Sequence, residues 1–193
     1  AKRPDKLGAH GMKWTDADGT VRIYLNPLLS KAVRLETLGH ELGHIVFKDA
    51  LSQADASTQK AIKQAFEAWR DGAKASRSLK AIYDSKKTAA LLDSLWGFDG
   101  QTLDSLSAED QAYVLDFEEW FADNVGRWMV SDAKPVGLVQ QFFKDVADLI
   151  RDLCRLLHGN KPDAAVKRFM DSRFVREEPV SLATTPGATS FTP

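Results

Sequence analysis

Two histidines four residues apart, in His40-Glu41-Leu42-Gly43-His44, are the residues of this chain best suited to chemistry. On a helix, residues four apart stand one above the other on one face, so two imidazoles can aim at a single cation. Neutral imidazole suits Zn²⁺, which takes nitrogen ligands at about 2.0–2.1 Å. Glu41, on the same rim, offers a carboxylate able to take a proton from metal-activated water. Helical context comes from Leu38, Leu42, Ile45 and Val46, which keep the spacing of one apolar face between about Val33 and Leu51. This stripe is expected to face the core, with both histidines turned to the opposite side.

A catalytic zinc site wants a third protein ligand and an open position. His158 precedes Gly159-Asn160 and reads as a helix C-terminal residue. Phe117-Glu118-Glu119-Trp120-Phe121-Ala122-Asp123 is the better source. Glu118 and Glu119 compete for the ligand role, but only Glu119 has a carboxylate partner one helical turn on, Asp123. In that arrangement Glu119 binds metal and Asp123 orients a ligand histidine. Small Ala122 and Gly126 would let this helix approach the histidine helix closely.

With both motifs in view, the chain resembles the gluzincin metallopeptidases, in which H-E-x-x-H is followed by E-x-x-x-D/E on a later helix. The Glu119-Trp-Phe-Ala-Asp123 segment is similar to that of anthrax lethal factor-type proteases and of zincin domains in phage polyproteins. The resemblance implies zinc held by His40, His44 and Glu119, Glu41 as general base for peptide hydrolysis, and Asp123 as the partner of His40. It also implies a polypeptide substrate and covalently linked neighbouring domains, in an intracellular or virion-associated setting. Hydrolysis needs a donor to the developing oxyanion. Tyr113 is the first choice, since related proteases place a tyrosine in that region. His10, in Gly8-Ala-His-Gly11, is a more remote one. The competing reading is a zincin-like scaffold that acts as an interaction module without catalysis; Glu41 argues against it.

The elements that must position these residues are mostly helical. Met12–Thr15 and Val21–Leu25 alternate apolar and polar residues around Asp16-Ala-Asp-Gly19, the pattern of a hairpin. Val21–Asn26 is either an edge strand for an extended substrate or a cover for the core. Asn26-Pro27 can open a helical turn. Further helices are expected over Ala54–Asp71, Arg77–Trp96, Gln111 to about Met129 (after a Ser107 start), Val136–His158 and Ala164–Phe174. This amounts to an α+β, mostly α-helical domain over 1–176, with 52–106 a helical insertion and 177–193 a Pro/Thr-rich tail.

Composition narrows the class. The 193 residues carry 26 Lys+Arg against 27 Asp+Glu, which argues against a nucleic-acid module driven by bulk charge. No apolar run approaches the roughly 18 residues of a membrane span. Cys154, the one cysteine, excludes an internal disulfide and reads as a buried thiol. Trp69, Trp96, Trp120 and Trp128 suit packing. Lys60, Lys63, Arg70, Lys74, Arg77, Lys80, Lys86 and Lys87 read as a solvated basic face.

Overall fold

Alternating apolar residues near the start pair as a two-stranded antiparallel hairpin, β1 (Gly11–Thr15) with β2 (Val21–Leu25), Met12 opposite Tyr24 and Trp14 opposite Arg22. The structure, a computed structural model, describes residues 10–17, 21–88 and 100–157. Expectations for Trp96, His158, the Ala164–Phe174 helix and the tail therefore lie outside the described residues. Asn26 holds a turn, its Oδ1 accepting from Leu28 N at 3.0 Å. Six α-helices follow among the described residues: α1 (Lys31–Gln53), α2 (Ala56–Ser76), α3 (Leu79–Lys86), α4 (Ala108–Val114), α5 (Phe117–Met129) and α6 (Leu138–Leu157). The chain is thus α+β and mostly helical. No described helix is long and apolar enough to cross a membrane.

Local chemistry sets the helix starts. Ser30, Asp55, Ser78, Ser107 and Asp116 each accept a backbone N–H from the first turn they precede, satisfying donors that a helix leaves unpaired. The Asp116 cap corrects the single helix expected from Gln111 to Met129. Asp116 Oδ1 accepts from the N–H groups of Glu118 at 2.7 Å and Glu119 at 3.1 Å. The chain breaks at Leu115-Asp116 and restarts as α5.

The core gathers around α5. Phe121 and Val125 of α5, Ile62 and Phe66 of α2, and Phe143 and Ile150 of α6 form one buried cluster. The segment read as an insertion thus gives α2 to the central core. Trp69, Trp128 and half-buried Cys154 pack at its margin.

The buried face of α1 differs from the expected one. Val33, Glu36, Thr37, Gly39, Gly43 and Val46 are buried, whereas Leu38, Leu42 and Ile45 are only half-buried. Depth here follows how closely the next helix approaches, and the glycines permit the closest approach. The solvated basic face also needs correction. Lys86 is 3% exposed and Lys87 half-buried, because both turn inward toward a carboxylate of α5.

Candidate metal centre

The site is built on contact between two helix backbones. A Cβ added at Gly43 of α1 would lie 2.9 Å from Ala122 Cα of α5, and one at Gly126 would lie 2.8 Å from the Glu36 carbonyl oxygen. Gly39 and Gly43 on one helix therefore meet Ala122 and Gly126 on the other. The candidate site residues are offset by one: His40 and His44 follow the α1 pair, and Asp123 follows Ala122. Backbone contact brings the short Asp123 side chain within reach of α1.

Three groups converge. His40 Nε2 and His44 Nε2 are 3.1 Å apart, His44 Nε2 is 3.3 Å from Glu119 Oε1, and His40 Nε2 is 3.6 Å from Glu119 Oε2. The two rings stand nearly perpendicular, at 85°. Ligand atoms about 2.0–2.1 Å from a shared tetrahedral centre are separated by roughly 3.3–3.4 Å. The observed spacings bracket that value, so these residues fit a metal ion, and His40, His44 and Glu119 form a group that could hold one.

Each imidazole also meets a carboxylate on its far nitrogen. Asp123 Oδ1 lies 2.8 Å from His40 Nδ1, and Glu118 Oε1 lies 3.0 Å from His44 Nδ1. The two adjacent glutamates thus occupy different places: Glu119 faces both Nε2 atoms, and Glu118 lies behind His44. The hydrogen bond to Glu118 favours the His44 tautomer that leaves its Nε2 free to ligate; at His40, Asp123 lies in close contact with Nδ1 without hydrogen-bond alignment.

Asp123 is itself held. Lys87 Nζ is 2.7 Å from Oδ1 and Lys86 Nζ is 3.2 Å from Oδ2. Burial alone would push this carboxyl up. Lys87, His40 and Lys86 outweigh burial and hold it well below the ordinary carboxylate range. The sequence reading missed both lysines. Their one signal is position at the helix end near Lys86, which carries no information about a partner 36 residues beyond Lys87.

An open cleft of about 570 Å³ lies against the site, lined by Lys13, Glu41, His44, Tyr113, Glu118 and Glu119 among others. Glu41 and Tyr113 share this cleft. Tyr113 is 55% exposed, and its hydroxyl lies near the Glu119 carboxylate. Burial of its hydroxyl and the Glu119 charge push Tyr113 far above the ordinary phenol range, so the group stays a donor. His10 sits at the mouth of the hairpin, its carbonyl accepting from Asn26 N at 3.0 Å, and is not among the residues lining the cleft. A larger cavity of about 720 Å³ lies elsewhere, beside Lys31, Met129 and Arg151; it contains none of the metal-group residues.

Compared with protein-family models, curated proteins and solved structures, the chain finds no match.

Proposed function

We propose that this chain is a zinc-dependent peptidase in which His40, His44 and Glu119 hold the ion and Glu41 is the general base. The observation that supports this reading is the convergence of two Nε2 atoms and one carboxylate at tetrahedral spacing, with Glu41 on the same cleft. Zinc in such a site would act as a Lewis acid toward a carbonyl and lower the pKa of water toward ~7.

The protein's own groups divide the remaining work. Asp123 and Glu118 keep the imidazoles oriented. Glu41 takes the proton of the attacking water and passes it to the leaving nitrogen. Tyr113 donates to the carbonyl oxygen as charge builds there, turning from Glu119 to do so. The cleft leaves an extended peptide room to lie between β1, which contributes Lys13, and the start of α5.

The test pairs zinc analysis with Glu41→Gln. The parent should hold one zinc per chain and cleave a peptide library. The variant should keep its zinc and lose at least about 100-fold in cleavage rate. Equal cleavage by the two proteins, or a parent that takes up no zinc, would refute the reading.

A further inference from the structure

A buried carboxylate with one hydrogen-bond partner can turn about its side-chain bonds, and Asp123 has been denied that freedom from both ends. Its Oδ1 faces His40 Nδ1 at 2.8 Å and Lys87 Nζ at 2.7 Å, while Oδ2 faces Lys86 Nζ at 3.2 Å. Lys86 is fixed in turn. Its Nζ donates to Val114 O at 2.8 Å and lies 4.8 Å from the Trp69 ring centre. The segment carrying the lysines is tied to both site helices. Thr88 N donates to Glu36 Oε1 of α1 at 2.9 Å, and Arg127 of α5 donates to Ser85 O at 2.6 Å. Residues 85–88 thus form a clasp tied to both helices of the pair.

We propose that Lys87, backed by Lys86, is a positioning residue for the metal site: it fixes the Asp123 carboxylate so that Oδ1 meets His40 and keeps that imidazole aimed. The inference rests on the metal reading above. It assigns the end of α3 a part in metal binding, through Asp123 and His40.

The experiment measures zinc affinity of the whole chain by competition with a chromophoric chelator, for the parent, Lys87→Met and Lys80→Met. Lys80 shares α3 but pairs with exposed Asp84, so its loss should leave affinity unchanged. Lys87→Met should bind zinc about tenfold more weakly, the lower end of the effect of losing an outer partner of a ligand histidine. Removing a positive charge would by itself favour a dication, so weaker binding marks position rather than net charge as the contribution of Lys87.

A purely structural role would lower the melting temperature while leaving the affinity of the folded variant intact. A second readout is the His40 Nδ1–H resonance of the zinc-free protein, which should be protected from exchange in the parent and lose that protection in the variant. Should Lys87→Met fail to fold, Lys87→Gln keeps a donor and should give an intermediate loss. Parental or tighter zinc binding in the folded variant overturns the proposal while leaving the metal reading intact. A parent that binds no zinc overturns both.

Discussion

Gly126→Ala tests whether backbone contact between α1 and α5 sets the site. The new Cβ would stand 2.8 Å from the Glu36 carbonyl oxygen and 3.3 Å from His40 N. Both are backbone atoms of α1, so neither can rotate away. Reaching ordinary contact near 3.4 Å requires the helices to part by roughly 0.6 Å. If that opening passes to the side chains, the 3.3 Å gap between His44 Nε2 and Glu119 Oε1 grows toward about 3.9 Å, outside the ~0.5 Å tolerance of a metal constellation. Overpacking costs about 1–3 kcal/mol, and replacing a helical glycine by alanine returns about 1 kcal/mol. The net loss of stability is therefore about 0–2 kcal/mol, with zinc affinity down about tenfold. Gly72→Ala is the control: nothing lies within 4 Å of its added Cβ, so it should gain up to about 1 kcal/mol and keep its zinc affinity. Thermal melts and chelator competition on the two variants measure both terms. Parental stability and affinity in Gly126→Ala would show that the helix contact does not set the ligand spacing.

Two further outcomes follow. Asp123→Asn keeps the side-chain shape but leaves Lys86 and Lys87 without their anion; zinc affinity should fall about 10–100-fold and stability by about 3–5 kcal/mol, read by the same two assays. Asp148 would be raised by its partial burial, but Lys144 and Arg151 outweigh that and lower its pKa from the ordinary 3.8. A depressed carboxyl contributes stability that is present above about pH 4 and lost as pH falls through its folded value, so Asp148→Asn should lose less melting temperature between pH 7 and pH 3 than the parent does.

What could be read in the sequence was local. His40 with His44, and Glu119 with Asp123, are each one helical turn apart, and the alternation of Met12–Thr15 and Val21–Leu25 marks the paired strands. What could not be read depended on a second element. Hydropathy ranks Leu38 and Ile45 above Gly39 and Gly43, yet the glycines are deeper because they admit another backbone. Ala122 and Gly126 stand out in the sequence as small residues, but nothing there marks their partners, Gly43 inside the histidine motif and Gly39 just before it. Lys86 and Lys87 belong to a run of basic residues that looks solvated until Asp123 is found beside them. Adjacent Glu118 and Glu119 differ in sequence only by the presence of Asp123, whereas the fold sends them to different nitrogens.

The far end of α5 has a bearing on all of this. Asp116 grips the first turn of that helix, and Arg151 of α6 reaches the carbonyl oxygens of Trp128 and Met129 at its last. The Arg151 tie from α6 and the close α1 contacts at Gly43 and Gly126 hold this rod, about 20 Å long, against slipping along its own axis. Glu119 therefore keeps its level against the histidines independently of any ion, and an arriving cation has little ordering left to impose. Capture of the metal should accordingly be quick, limited by shedding hydration water rather than by folding of the polypeptide.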